Sequence, residues 1–253
     1  MAENNEIKVK SLQKALEILN LFTEKPVLGV TEVSEYFGLY KSTVHNILCT
    51  LKSMEYLEQD EETGKYRLGI QIFNLSKALG DTYSITKIAG PYMQELSNYT
   101  GERCYLAVPY RQEVLYLDAM YPADSIELMR SILGERAQMH CTGLGKAMLA
   151  NMGEREISDY LEHHKLEAFT ENSIIDKKQF REELLRTKQR GYALDDMEHE
   201  FGIKCIAMPV FDRTKNVYAA ISISGMANHF TDANIAEWAM LLKKYIRKIE
   251  SRL

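Results

Sequence analysis

The chain has no long apolar run. Its most hydrophobic stretches, such as "YLAV", "AMLA" and "AAISIS", are four to six residues long, against the roughly 20 that a membrane-spanning helix requires. The start, "MAENNEIKVK", is polar and acidic and contains no apolar segment of the secretory type, so a cytoplasmic location and no membrane partner are expected. Cysteine is sparse: Cys49, Cys104, Cys141 and Cys205 lie far apart, with no C-x-x-C spacing. That argues for reduced thiols rather than a disulfide framework. An excess of positive charge is also missing. The formal net charge is −5, and the first eighty residues and the remainder are each net acidic. A bulk polyanion binder is thereby excluded, and any nucleic-acid surface has to be local.

What is present is an average globular composition, 45% hydrophobic and 26% charged, over 253 residues. That length suits one large domain or two ordinary ones. In "SLQKALEILNLFTEK", Leu12, Ala15, Leu16, Leu19 and Phe22 recur at helical spacing behind Ser11, which predicts one apolar stripe on a helix opened by that serine. "GVTEVSEYFGL" predicts a short second helix capped by Thr31, burying Val33 and Phe37 and ending at Gly38. "KSTVHNILCTLKSM" follows almost at once as a third helix, with Val44, Ile47, Leu48, Leu51 and Met54 on its buried side. A short helix, a glycine turn and a longer helix is helix-turn-helix geometry. "YLEQDEETGKYRL" then reads as a hairpin turning near Gly64, in the place of a wing.

The remaining positions of the third helix are Lys41, Ser42, Thr43, His45, Asn46, Thr50 and Lys52. Hydroxyl, amide and cationic groups near a recognition-helix N-terminus match base edges and phosphates: Asn46 suits adenine, Lys41 and Lys52 suit phosphates, and the wing adds Lys65 and Arg67. The competing interpretation is a solvated outer face. The expected partner is a double-stranded DNA operator.

"GIQIFNLSKALGDTYSITKIAGPYMQELSNYTGE" predicts helix, break at Gly80 and helix. The expected organisation is a winged helix-turn-helix domain over 1–70, a helical linker over 71–80 and a further domain over 81–253. In that last part strands are expected at "RCYLAVPY", "EVLYLDAM", "SIELMRSI", "IKCIAMPVF" and "VYAAISIS". Helices are expected from Gly143, near Glu154–Leu161, over Asp176–Gln189 and over Thr231–Leu253. That pattern is α+β on a mostly antiparallel sheet. In "VYAAISIS" the alternation puts Ala220, Ser222 and Ser224 on one face and Ile221 and Ile223 on the other, so one face is small and hydroxylic and leaves room beside the sheet.

"HCTGLGKAMLA" (His140–Ala150) is the most chemical stretch. It is not a phosphate loop, because His140 occupies the first glycine position and Ala147 the place of the magnesium-binding hydroxyl. Neighbours in an extended chain point apart, which counts against a Cys141–His140 nucleophile. Metal ligation by His140, Cys141, Asp195, His199 and Cys205 stays open, without a tight ligand spacing to favour it. The remaining interpretation is a helix N-terminus capped by Thr142, with Gly143, Leu144 and Gly145 presenting N–H groups to a small acid beside Asp195, Cys205, Ser222 and Ser224. Close packing of helix on sheet would also account for the glycines.

In order, "SLQKALEILNLF", "KSTVHNILCTL", "GKYRLG", "HCTGLGKAMLA", "DDMEHEFGIKCIAMPVFD" and "AAISISG" resemble the IclR family of bacterial transcriptional regulators, from about Ser11 to Trp238. The resemblance implies a winged helix-turn-helix, a GAF-like α/β effector domain, and homodimers or tetramers on palindromic operators; some relatives hold a metal in this domain, while no cofactor is expected for this chain. It implies an effector pocket at Gly143, Leu144, Asp195, Cys205, Ser222 and Ser224; the expected effector is a small organic acid, with the helix around Ile70–Ser97 passing the signal. Two positions depart from the pattern: His45-Asn46 stands where an arginine is frequent, and Leu144 where a smaller residue is common. The expected function is a ligand-sensing DNA-binding regulator rather than an enzyme. Alternatives are a metal-binding or small-acid-processing enzyme, for which no base–nucleophile pair is visible, and a constitutive DNA-binding protein.

Overall fold

A computed structural model of the chain describes residues 7–82, 84–124 and 132–253. They form two compact units, divided after residue 83. Among the described residues no helix is long and apolar enough to cross a membrane.

The first unit contains α1 (Lys10–Leu21), α2 (Val30–Phe37), α3 (Lys41–Ser53), the strands β1 (Leu57–Gln59) and β2 (Tyr66–Leu68), and α4 (Ile70–Thr82). Ile18, Leu21, Phe22, Val33, Val44, Leu48, Leu57 and Tyr66 make its core. The hairpin is antiparallel, Leu57 opposite Leu68 and Gln59 opposite Tyr66. Leu28 and Tyr66 exchange backbone hydrogen bonds (3.1 and 2.8 Å), tying the segment before α2 to the wing. Gly38 ends α2 at φ 63°, a left-handed conformation in which a side chain would be strained.

Several local expectations are corrected. Helix α1 starts at Lys10 after Val9 and has no side-chain cap, so Ser11 lies inside it. Its buried stripe is Ile18, Leu21 and Phe22, while Leu12 (57% exposed) and Leu16 (50%) stand free. The α2, α3 and wing residues close over the second half of α1 only, and that contact, not periodicity, selects the buried phase. Thr31 also lies inside its helix. Gly29 is the cap residue, and the Glu32 carboxylate accepts its N–H (2.5 Å), favourable at the positive end of a helix. Met54 lies just past α3 and is exposed. Gly80 does not end a helix; α4 continues through it to Thr82 and belongs to the first unit.

The second unit runs α5 (Ser84–Thr100), β3 (Arg103–Tyr110), β4 (Glu113–Met120), β5 (Arg136–Gln138), α6 (Gly143–Leu149), α7 (Glu154–His163), α8 (Lys177–Arg190), β6 (Ala193–Asp196), β7 (Ile203–Phe211), β8 (Val217–Met226) and α9 (Asp232–Glu250). The expected strand "SIELMRSI" falls, except for Ile132, outside the described residues. The six strands form one antiparallel sheet in the order β5-β4-β3-β8-β7-β6. Side-chain alternation gives it two unlike faces. Ala107, Cys205, Ala207 and Ala220 join Leu144, Ala147 and Met148 of α6 in one core, with α7 and α8 outside. Ile206, Ile221 and Ile223 are buried on the other face, where α5 and α9 pack.

Glycine lets α6 lie so close. A Cβ built on Gly143 would stand 2.8 Å from Cys205 Sγ, and one on Gly145 would stand 2.3 Å from both Cα and the carbonyl oxygen of Met139. The second clash is with backbone, which cannot swing aside. Overpacking of well-packed interiors costs about 1–3 kcal/mol and sometimes more. Gly145→Ala is therefore expected to destabilise the second unit by at least about 2 kcal/mol, seen as a lower chemical-denaturation midpoint. Gly90→Ala, where the nearest atom is the flexible end of Met120 at 3.4 Å, is expected to be close to neutral.

Candidate functional site

The expected pocket residues converge. Gly143 and Leu144 at the start of α6, Asp195 on β6, Cys205 on β7, and Ser222 and Ser224 on β8 all line one cavity of about 170 Å³. Strand pairing brings them there, since Cys205 sits opposite both Asp195 and Ser224, and Arg103 of β3 opposite Ser224. Ser222 is fully buried, and among the described residues its Oγ has no well-formed hydrogen bond, although the Cys205 thiol lies beside it. Buried hydroxyls are rarely left so, because the lost hydration has no compensation.

Sequence reasoning missed several lining groups. Arg103, Tyr105, Tyr116 and Arg136 also border the cavity, as does His199, which the sequence had offered only as a metal candidate. The Tyr105 and Tyr116 rings meet edge to face, centroids 5.7 Å apart. Arg103 hydrogen-bonds to Tyr105, and Arg136 pairs with Glu113 at 3.4 Å. The alternation of β3 and β4 could have singled out the two tyrosines as inward-facing. Nothing local marks the arginines.

Beneath the cavity lies a buried ionic arrangement. Lys146, fully buried one turn into α6, pairs with Glu198 of the β6–β7 loop. The Glu198 N–H donates to Asp195 Oδ1 (2.8 Å), and Ser173 Oγ donates to the Glu198 carbonyl (2.6 Å). Burial pushes Asp195 up from the ordinary carboxylate range to about 7, opposed by the nearby Lys146 ammonium. Near neutral pH this wall of the cavity is therefore part acid and part carboxylate, able to donate as well as accept.

The helix-end interpretation needs correction. Thr142 does cap α6, its Oγ1 accepting the Gly145 N–H (3.1 Å). That bond removes one donor, and seven residues generate little dipole. The glycines serve close approach. Nucleophilic chemistry finds no support in the geometry either. His140 is a core residue, its Nε2 2.9 Å from the Glu167 carbonyl and its Nδ1 3.3 Å from the Tyr160 hydroxyl. Cys141 faces His199 Nδ1 instead (3.5 Å), and burial pushes its thiol up to about 12. Because His140 is turned away, the set His140, Cys141, Asp195, His199 and Cys205 does not assemble. Among the described residues no three metal-ligating side chains converge.

In the first unit Lys41, Ser42, Thr43, His45 and Asn46 are all exposed on α3, opposite the buried Val44 and Leu48. Thr50, also exposed, spends its hydroxyl on the Asn46 carbonyl (2.8 Å). The other cations are engaged. Lys52 donates to Gln59 (2.9 Å), Lys65 pairs with Glu32 (2.8 Å) and Arg67 with Glu58 (3.1 Å). Exposed pairs contribute about 0–1 kcal/mol, so a phosphate can displace them at small cost.

Comparison with known proteins agrees with both halves. The family profile "Bacterial transcriptional regulator IclR C-terminal" matches residues 78–251, and "IclR helix-turn-helix domain" matches residues 11–61. The chain is 32% identical over 237 residues to the HTH-type transcriptional regulator XynR of Escherichia coli (strain K12), covering 93% of this chain and 94% of that one. The crystal structure of the Thermotoga maritima IclR is similar with a TM-score of 0.85 at 30% identity, over 96% of this chain and 98% of that one. An IclR homolog from Microbacterium hydrocarbonoxydans, solved in complex with 4-hydroxybenzoate, shares the fold at 21% identity, with a TM-score of 0.83 over 96% and 98% of the two chains.

The raised Asp195 group has a stability consequence. Its folded pKa of about 7 lies above the unfolded carboxylate value, so its contribution is fully present below about pH 4 and lost as pH rises through 7. Wild type is expected to lose stability relative to Asp195→Asn between pH 5 and 7, by up to about 1.4 kcal/mol per pH unit, and Asp195→Asn to be the more stable protein at pH 8. Parallel denaturation curves across that range would show that Asp195 titrates as an ordinary carboxylate.

Proposed function

Because this chain belongs to the IclR family of bacterial DNA-binding transcriptional regulators, we propose that its first unit binds a specific operator and that the cavity of its second unit senses a small organic acid. The observation that carries the sensor half is the convergence of all six expected residues on one cavity, together with the orphaned Ser222 hydroxyl at its wall. Arginines on the lining, a wall aspartate that holds a proton near neutral pH and a buried serine without a well-formed hydrogen bond among the described residues are complementary to an oxygen-rich anion. The 4-hydroxybenzoate bound by the Microbacterium homolog is a carboxylic acid, in keeping with that chemistry.

Regulation by such a ligand requires it to bind the operator-competent and operator-incompetent states with different affinity. The loop of Glu198 and His199 is the part of the cavity best suited to that role. Its backbone is held by Ser173, Thr170 and Asp195, and its side chains reach both the buried lysine and the lining. The cationic and amide side chains on α3 supply operator contacts, with Lys41 for phosphate and Asn46 for a base edge. Operators for this protein are expected to be palindromic and read by a homodimer or tetramer.

A melting panel of small carboxylates, aromatic acids and sugar acids tests the sensor. A true effector at about 100 times its Kd stabilises the protein by roughly 2.7 kcal/mol, and the shift is expected to vanish in Ser222→Ala/Ser224→Ala. A ligand that binds while leaving operator affinity unchanged would refute the coupling. For the operator half, Asn46→Ala is expected to weaken specific binding by about 1–3 kcal/mol and relax one base position. Lys41→Gln should weaken binding to all sequences and reduce the salt slope by about one. Equal losses on specific and random DNA for Asn46→Ala would remove it from base readout.

A further inference from the structure

The sheet leaves an opening at one corner. Strand β6 pairs with β7 only from Ala193 opposite Ala207 to Asp196 opposite Lys204. From Met208 to Phe211, β7 therefore runs on with β8 alone as its partner. Pro209 falls in this uncovered stretch, where an edge tolerates the missing donor. The Phe211 N–H is satisfied by Glu250 of α9 (2.9 Å). Where β6 stops short, a cleft of about 260 Å³ remains between the end of α8, the edge of β7 and the last turns of α9. It shares no residue with the cavity of Asp195 and Ser222.

The cleft is chemically divided. Met208, Pro209, Phe211 and Ile246 give it an apolar wall, and Tyr192 adds a ring. Around it stand Lys188 from the last turn of α8 and, one turn apart on α9, Lys243 and Arg247. All three are exposed, and among the described residues none has a carboxylate within ion-pair distance. The contrast with their neighbours is sharp: Arg186 and Arg190 pair with Glu183, Arg181 with Glu154 and Lys204 with Asp196. Glu250 is the one carboxylate on the lining, and it is occupied by the Phe211 N–H. In a chain of net charge −5, three cations without an ion-pair partner thus border one opening, against the single carboxylate of Glu250.

We propose that this cleft is a second ligand site, and that it takes an organic phosphate. Lysine and arginine only donate and carry positive charge, so the rim disfavours cations and favours an acceptor-rich anion over a neutral polyol. A phosphate monoester brings close to two negative charges and three terminal oxygens, enough to serve three donors arriving from two helices. The apolar wall accommodates the carbon body, which inorganic phosphate lacks.

The test is titration of phenyl phosphate, and in parallel inorganic phosphate, into the full-length protein at constant ionic strength, followed by calorimetry. Saturable binding of one phenyl phosphate per chain is expected, at least tenfold tighter than inorganic phosphate. Lys243→Gln/Arg247→Gln should weaken it at least tenfold. Lys177→Gln/Lys178→Gln, an equal loss of charge elsewhere on the surface, should leave it unchanged, as should Ser222→Ala/Ser224→Ala. No binding, binding no tighter than that of inorganic phosphate, or binding retained in the Lys243/Arg247 variant would overturn the proposal. So would loss of binding in the serine variant, which would move the ligand to the other cavity, or an acidic peptide binding where phenyl phosphate does not.

Discussion

The second unit depends on how closely α6 can lie against its sheet. Glycine at 143 and 145, and alanine at 107, 207 and 220, remove the side chains that would hold helix and sheet at an ordinary distance. Close approach seals most of that face as a dry core containing Ala147, Met148 and Leu149. At the end where the helix begins, the same shallow face continues as Ser222 and Ser224, where Gly143 and Leu144 border the space beside the sheet without filling it. The cavity is thus the continuation of a packing surface, with a small hydroxylic floor and larger side chains from β3, β4 and the β6–β7 loop around it.

One buried ion pair then ties that helix to the loop that closes the cavity. Lys146 points from α6 into the interior and meets Glu198, whose own backbone N–H holds the Asp195 carboxylate. Removing two charges from water is costly, and such pairs are weak sources of stability unless their other bonding positions are filled. Here they are filled only in part, since Glu198 Oε2 has no hydrogen-bond partner among the described residues. The arrangement makes better sense as a constraint on geometry than as a source of stability. It fixes the distance between α6 and the β6–β7 loop, and with it the position of Asp195 and His199 on the cavity wall.

The first unit follows different physics. Its core is small, drawn from three helices, the segment between α1 and α2 and a hairpin, and its outer surface is laced with exposed pairs such as Lys65–Glu32 and Arg67–Glu58. Weak pairs suit a surface that meets a polyanion, because they hold the cations in place at little cost and yield them to a stronger partner. That the chain is acidic overall and yet belongs to a DNA-binding family is consistent with this local organisation: positive and amide groups stay exposed on α3, while Glu32 and Glu58 are drawn to the wing.

Much was determined by sequence alone, because it depends on near neighbours in the chain. Helical spacing, strand alternation and the Gly38 stop identified the elements, and the period of two in "VYAAISIS" separated the hydroxyl face from the branched one before any pairing was known. Where neighbours did not suffice, the tertiary structure decided. On α1 the expected stripe held at Phe22 and, partly buried, at Leu19, but packing buried Ile18 and Leu21 in place of Leu12 and Leu16. Thr31 looked like a cap by composition, but the return of Glu32 to Gly29 moved the helix start. His140 and Cys141 looked like one site and were sent to different partners, Tyr160 and His199. Arg103, Tyr105 and Tyr116 reach the cavity only because β3 lies between β4 and β8, a pairing that joins segments more than a hundred residues apart. The chain's local chemistry specified the elements and their faces; which faces meet is a property of the whole fold, since it is settled by the packing that buries them together.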